Sequence, residues 1–171
     1  MCTSVYVASV EGYTGKSAVA LGVLDVLSRR VERVGVFRPI VRNDQATARG
    51  ERDYVLDLLT AHEAVTLDYD ECTGVTYDDV HADPVAALDT IVERYHRVAE
   101  QCDAVVVIGS DYTDVATPTE LSYNARIAAN LSSPVLLVLN GADRTPADLV
   151  TLADIAGAAI SANHAALFAV V

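Results

Sequence analysis

Five short apolar runs recur along the chain, at 4–10, 33–40, 103–109, 134–140 and 167–171. Within these runs valine, isoleucine and leucine follow one another with little alternation of apolar and polar positions. Strands that are buried on both faces of a parallel sheet show this pattern, whereas strands with one solvated face alternate. The runs therefore predict about five strands of a mainly parallel sheet.

Between the runs, apolar residues recur every three or four positions, as they do along one face of a helix. This spacing predicts helices over 17–30, 51–61, 84–100, 118–131 and 146–162. Asp83 and Pro84 are typical of an N-cap followed by proline at the first helical position. Strands that alternate with helices form right-handed βαβ units. The fold class predicted is doubly wound α/β, a three-layer sandwich with helices on both faces, as in P-loop NTPases.

The stretch from 43 to 82 departs from this alternation. After the helix predicted over 51–61 it is acidic, carries several tyrosines and has little periodicity. We interpret it as a solvated excursion between the second and third predicted strands, and a lid over a ligand is the alternative. Neither a repeat nor a Gly/Ser-rich linker divides the chain, so we expect a single domain over 1–171.

Composition limits the partners. The chain has 171 residues, 51% of them hydrophobic, which is enough for one substantial core. Asp and Glu number 24 against 12 Lys and Arg, and the basic residues form no stripe. Nucleic-acid binding requires clustered cations, so a nucleic-acid partner is not expected.

Three cysteines without paired spacing, Cys2, Cys72 and Cys102, indicate reduced thiols rather than disulfides or a zinc site. The first strand begins within a few residues of Met1, with no signal-peptide pattern, and every apolar run is too short to cross a bilayer. We expect a cytoplasmic protein without a membrane partner. Four scattered histidines lack metal-ligand spacing.

The sequence "EGYTGKS" over 11–17 follows the first predicted strand and opens the first predicted helix. A phosphate-binding loop requires this context, in which glycines let successive backbone N–H groups face an anion at a helix N-terminus. Gly12, Thr14 and Gly15 form the candidate cradle. Lys16 would reach the phosphates, and Ser17 would bind them and place its hydroxyl on Mg²⁺.

Lys16 is the chain's single lysine, and its position between Gly15 and Ser17 is improbable by chance. A compact ammonium suits a crowded phosphate site better than the broad guanidinium of arginine. The loop nevertheless departs from the usual pattern, because Val10 stands where a glycine is expected. The loop therefore binds a phosphate or a nucleotide with Mg²⁺, or it is a turn that binds nothing strongly.

Two further residues belong to the candidate site. Asp111 follows the third predicted strand, where an acidic residue can complete a Mg²⁺ shell, although it could equally be a helix cap or a solvated loop acid. Arg38 ends the second strand at the sheet edge where α/β folds bind ligands, and a surface ion pair is the alternative.

Four segments together resemble a known family: "SVYVASVEGYTGKSAVALGVLDVL", "RVGVFRPIVR", "DAVVVIGSDYTD" and "ELSYNARIAANLSSPVLLVLNG". In order and spacing they resemble the N-terminal domain of the long, multidomain phosphate acetyltransferases of actinobacterial type. That domain is similar to dethiobiotin synthetase and to amidotransferase-linked cobyrinic acid synthases. The resemblance covers essentially the whole chain, and "SYNARIAANL" with Glu120 before it is its most specific part.

The resemblance implies a parent enzyme that moves an acetyl group between coenzyme A and phosphate, with that site in a C-terminal domain. The chain ends inside an apparent strand, so we expect it to be part of a longer protein. In this family the N-terminal domain is associated with oligomer assembly and with regulation by small metabolites. Gly109 and Ser110 stand where many relatives carry an acidic residue and then glycine, which favours binding over hydrolysis.

Three hypotheses follow. The first is a regulatory and assembly domain of a phosphate acetyltransferase, without catalysis of its own; in it we expect a C-terminal acetyltransferase partner domain, a small-molecule effector and a homo-oligomer. The second is a free-standing ATP-dependent enzyme like dethiobiotin synthetase. The third is a nucleotide- or anion-binding module from another system.

Overall fold

The computed structural model describes residues 2–41, 52–110 and 120–171. The strands are β1 (Thr3–Ser9), β2 (Val34–Val41), β3 (Thr73–Thr76), β4 (Ala104–Ile108), β5 (Val135–Val138) and β6 (Leu167–Val170). The helices are α1 (Lys16–Ser28), α2 (Tyr54–Thr60), α3 (Tyr77–Ala82), α4 (Pro84–Gln101), α5 (Glu120–Asn130) and α6 (Pro146–Ala162).

One sheet contains all six described strands in the order β3-β2-β4-β1-β5-β6, and every pairing is parallel. The chain builds β1, β2 and β3 toward one edge, returns to insert β4 in the middle, and then adds β5 and β6 toward the other edge. The direction of winding therefore reverses beside β1 and β4. Ligands of open α/β sheets bind outside the carboxyl ends of the strands at such a reversal.

Helices cover both faces of the sheet, which confirms the predicted doubly wound α/β class. On one face α4, α5 and α6 pack against residues such as Tyr6, Phe37 and Val107. On the other face α1 and α2 pack against residues such as Val7 and Val36. The central strand β4 is buried at all five positions, as its continuous apolar run predicts.

Helix starts follow the capping residues in the sequence. The Asp83 carboxylate accepts hydrogen bonds from the N–H groups of Val85 and Ala86, both at 3.0 Å, and Pro84 is the first helical residue of α4. Thr145 forms a capping box at the start of α6, which spans the predicted 146–162. The predictions over 17–30 and 84–100 correspond to α1 and α4, with ends that differ by at most two residues. Helix α5 occupies 120–130 of the predicted 118–131, of which 118 and 119 lie outside the described residues.

The sequence did not indicate β3 and α3, which lie inside the stretch interpreted as a solvated excursion. β3 has only four residues and pairs with β2 through Ile40 and Val75. At Gly74 an added Cβ would lie 2.1 Å from the Pro39 carbonyl oxygen, so glycine is what permits this close approach. The sheet thus has six strands rather than about five, and the helix predicted over 51–61 is the shorter α2.

Candidate functional site

The loop over 10–15 joins β1 to α1, so the predicted strand, loop and helix occur in that order. Gly15 has φ of 82° and occupies the N-cap position, where it offers no side chain to the helix. The first turn of α1 also contains no acidic residue. Gly15 therefore leaves this helix start without a side-chain cap, and the helix dipole favours an anion there.

Like Gly15, Tyr13 has a left-handed backbone conformation, with φ of 59°. Its side chain is fully exposed, and a non-glycine residue in this conformation costs roughly 1 kcal/mol. Thr14, next to it, has a buried hydroxyl oxygen without a hydrogen-bond partner among the residues described. A buried hydroxyl in a phosphate cradle is suited to donate to a phosphate oxygen.

Side-chain contacts fix the first half of the loop. The Ser9 hydroxyl donates to the Glu11 carbonyl oxygen at 2.9 Å. The Glu11 carboxylate accepts two hydrogen bonds from the Arg144 guanidinium, at 2.5 and 3.0 Å. Val10 lies between these anchors and packs against the hydrophobic core. The valine that replaces the expected glycine is therefore a packing residue in a loop whose conformation its neighbours determine.

Lys16 and Arg38 converge on one oxygen atom at the carboxyl end of β4. Lys16 Nζ donates to the Gly109 carbonyl oxygen at 2.6 Å, and Arg38 Nη1 donates to the same oxygen at 2.6 Å. The two residues are only 4% and 1% exposed. Because Arg38 is also paired with Asp53, the two cations and this carboxylate leave a net positive charge beside the candidate loop, which favours an anion. We call this arrangement the Gly109 node.

Arg38 also forms a buried ion pair that sequence reasoning missed. Its Nε donates to Asp53 Oδ2 at 3.1 Å, and each side chain is 1% exposed. Asp53 is the N-cap of α2 as well, because its Oδ1 accepts from the N–H groups of Val55 and Leu56. The alternative for Arg38 was an ion pair at the surface. Arg38 does form an ion pair, but the pair is buried. Asp53 lies inside the helix predicted over 51–61, so no pattern in the sequence pointed to this role.

A buried polar cluster lies beside the Gly109 node. Asn124 Oδ1 accepts from the Tyr6 hydroxyl at 2.6 Å and from the Ser110 N–H at 3.1 Å. Its Nδ2 donates to the Ser110 and Glu120 carbonyl oxygens, at 3.2 and 2.9 Å. A Cβ at position 109 would lie 2.5 Å from Asn124 Oδ1. Any side chain at position 109, including a carboxylate, would therefore collide with Asn124.

Tyr77 and Glu120 connect the starts of α3 and α5 next to this cluster. The Tyr77 hydroxyl donates a short hydrogen bond to the Glu120 carboxylate. Burial, followed by that carboxylate, raises the pKa of Tyr77 well above its ordinary value. Burial also raises the pKa of Tyr6, so both phenols stay neutral donors through the physiological range.

The predicted site residues divide into three sets. Gly12, Thr14, Gly15, Lys16 and Ser17 lie together in the loop and at the start of α1, and Arg38 joins Lys16 at the Gly109 node. Ser17 is half-buried. Asp111 lies outside the described residues, so its Mg²⁺ role stays a prediction.

Within the described ranges, no cluster of three His, Cys, Asp or Glu residues could hold a metal ion. None of the helices described there is long and apolar enough to cross a membrane.

The AAA domain family matches residues 3–171, which is nearly the whole chain. Two curated relatives are phosphate acetyltransferases. The protein from Nitratidesulfovibrio vulgaris is 30% identical over 155 residues, covering 88% of this chain and 22% of the relative. The protein from Synechocystis is 31% identical over 163 residues, covering 91% and 23%. The chain thus spans less than a quarter of the length of these relatives.

Solved structures with a similar fold include two tyrosine kinase domains. The BceF tyrosine kinase domain aligns with a TM-score of 0.58 at 14% identity, covering 98% of this chain and 67% of that one. The kinase domain of Escherichia coli ETK aligns with a TM-score of 0.59 at 16% identity, covering 98% and 66%. At this identity the likeness establishes the fold and nothing about activity.

Proposed function

We propose that this chain, which belongs to the AAA domain family, is the N-terminal regulatory and assembly domain of a phosphate acetyltransferase. The parent enzyme would exchange an acetyl group between coenzyme A and inorganic phosphate in a separate C-terminal domain. The relatives support this placement, because this chain matches less than a quarter of their length. We expect a cytoplasmic homo-oligomer whose domain responds to a small-molecule effector.

The proposed role of the domain is to bind a phosphate group. The observation that carries it is the Gly109 node, where the Lys16 ammonium and the Arg38 guanidinium share one carbonyl oxygen at the carboxyl end of β4. The start of α1, which has no side-chain cap, and the buried Thr14 hydroxyl would add donors. These residues suit the phosphates of a nucleotide or a free phosphate. Ser17 would contribute a ligand if Mg²⁺ accompanies them.

Binding without hydrolysis fits the end of β4. Gly109 has no room for a side chain beside Asn124, so this position cannot supply a carboxylate to a metal. Asn124, Ser110 and Tyr6 satisfy one another's hydrogen bonds there, which stabilises the present arrangement. We therefore propose a sensing site that couples phosphate occupancy to the acetyl-transfer domain.

A thermal-shift titration with inorganic phosphate, ATP and acetyl-CoA tests the phosphate site. A ligand at 100 times its Kd stabilises a protein by about 2.7 kcal/mol, so a working site gives a clear rise in Tm. Lys16→Ala should abolish the rise, whereas Arg97→Ala on α4, whose partner is Glu93, should retain it. Flat titrations with all three ligands would refute the phosphate site.

A second measurement separates regulation from catalysis. In the longer protein to which we assign this chain, acetyl phosphate formation is assayed with and without Lys16→Ala. A regulatory site predicts that the variant changes the response to effectors while acetyl transfer itself persists. ATP hydrolysis by the present chain that disappears in Lys16→Ala would instead identify an ATP-dependent enzyme and overturn the proposal.

A further inference from the structure

The phosphate loop contains a carboxylate, Glu11, at its second position. A negative charge at this point opposes the binding of a phosphate, because both charges would occupy the same short turn. Glu11 is 35% exposed, so solvent screens its charge only in part. The loop can serve as an anion site only if this charge is compensated.

Arg144 supplies a matching cation from a distant part of the chain. Its guanidinium forms a two-point ion pair with the Glu11 carboxylate, at 2.5 and 3.0 Å, and it is 29% exposed. Two parallel N–H to oxygen bonds fix the relative orientation of both groups. Arg144 also lowers the pKa of Glu11, mainly through this hydrogen bond, which keeps the carboxylate ionised and paired.

The loop over 139–145 is built to present Arg144. β5 pairs with β1, with Val138 opposite Ser9, so the loops after these two strands are neighbours. Arg144 Nη1 donates to the Asn140 carbonyl oxygen at 2.8 Å, and the Asn140 side chain accepts from the Ala142 N–H at 2.9 Å. The guanidinium therefore reaches Glu11 from a preorganised turn.

We propose that Arg144 neutralises Glu11 and thereby makes the loop over 10–15 an anion site. Arg144 is a positioning residue in this proposal, since it acts through Glu11 and makes no contact with the ligand. The proposal rests on the proposed phosphate-binding function and names the residue that sets the charge of that site. It also explains how a loop with Glu11 remains compatible with a phosphate.

Charge neutralisation and simple mechanical support predict different results for the same variants. If Arg144 neutralises a charge, Arg144→Ala exposes the carboxylate and weakens phosphate binding, whereas Glu11→Gln removes the charge itself. The double variant then binds phosphate better than Arg144→Ala alone. If the pair only supports the loop, all three variants lose the same contact and weaken binding alike. The double variant therefore distinguishes the two roles.

Calorimetric titration with inorganic phosphate is the first part of the test. Arg144→Ala should weaken binding about tenfold, the order of effect expected for one nearby charge that solvent partly screens. Adding Glu11→Gln should restore most of that loss. The exposed Glu93–Arg97 pair on α4 provides the control, because Glu93→Gln and Arg97→Ala should leave phosphate affinity unchanged. A double variant that binds as weakly as Arg144→Ala would overturn the proposal.

Carbon-13 NMR titration of the Glu11 carboxyl group is the second part and needs no ligand. In the wild-type chain the Glu11 pKa should lie below its ordinary value, and Arg144→Ala should raise it toward that value, because the hydrogen bond from Arg144 is the main cause of the lowering. If the wild-type chain does not bind phosphate, the proposed function and the anion-site role of the loop fail together, and this measurement decides only whether Arg144 neutralises Glu11. A Glu11 pKa unchanged by Arg144→Ala overturns the neutralisation, and a raised pKa supports it.

Discussion

A single methyl group added at position 109 tests the packing behind the candidate site. In Gly109→Ala the new Cβ would lie 2.5 Å from Asn124 Oδ1 and 2.8 Å from Tyr6 Cε1. A Cβ atom does not approach atoms outside its own bonded neighbours this closely, so at least one neighbour must move. Both neighbours are almost completely buried and hydrogen-bonded to each other at 2.6 Å, which leaves them little freedom to do so.

The expected cost has two parts. Overpacking a dense interior costs roughly 1–3 kcal/mol. Displacing Asn124 also leaves the buried Tyr6 hydroxyl and the Ser110 N–H without their acceptor, which costs roughly 1–3 kcal/mol more. We therefore expect Gly109→Ala to lower the free energy of unfolding by about 2–6 kcal/mol. In a chain of this length each kilocalorie corresponds to roughly 2–4 °C in Tm.

Urea denaturation followed by circular dichroism measures this loss, and Gly22→Ala is the matched control. Gly22 lies in α1 with nothing within 4 Å of an added Cβ. Alanine is the better helix former by roughly 0.5–1 kcal/mol, so the same chemical change should stabilise the chain at position 22. A Gly109→Ala variant within about 0.5 kcal/mol of the wild-type chain would refute the packing argument.

Two further predictions concern buried polar groups. Asp53→Asn keeps an N-cap side chain on α2 but leaves the charge of Arg38 without this carboxylate, so we expect urea denaturation to show a free energy of unfolding lower by about 3 kcal/mol. The control is Asp25→Asn, which changes an exposed ion pair and should cost less than about 1 kcal/mol. Equal costs for the two variants would contradict the role of burial. Folding raises the pKa of Tyr6, so as the pH rises the unfolded chain loses the phenol proton before the folded chain does. The free energy of unfolding should therefore decrease as the pH rises above about 10. In Tyr6→Phe the fall of Tm between pH 9 and 11 should be smaller than in the wild-type chain. An unaltered pH profile of Tm would contradict this role of Tyr6.

The sequence determined most of the secondary structure because the relevant forces are local. Continuous apolar runs predicted five of the six described strands, and β4 and β5 are buried at every position as such runs indicate, whereas β6 is mostly exposed although its run is apolar. Capping residues placed the starts of α4 and α6 correctly, because an N-cap bonds to backbone two or three positions away. The sequence did not predict β3, because four residues are too few to show a pattern of apolar and polar positions. Pairing with β2 stabilises this strand.

The sequence also located the loop and its single lysine, since glycine, lysine and serine act there through adjacent backbone. Only the tertiary structure decided what surrounds Lys16. Asp53, Asn124 and Arg144 reach the site because strand order makes β2, β4, β1 and β5 neighbours, and Arg144 lies 133 positions from Glu11. Hydrogen bonds and ion pairs between such distant residues leave no periodic signal in the chain, because their partners are set by the topology of the sheet.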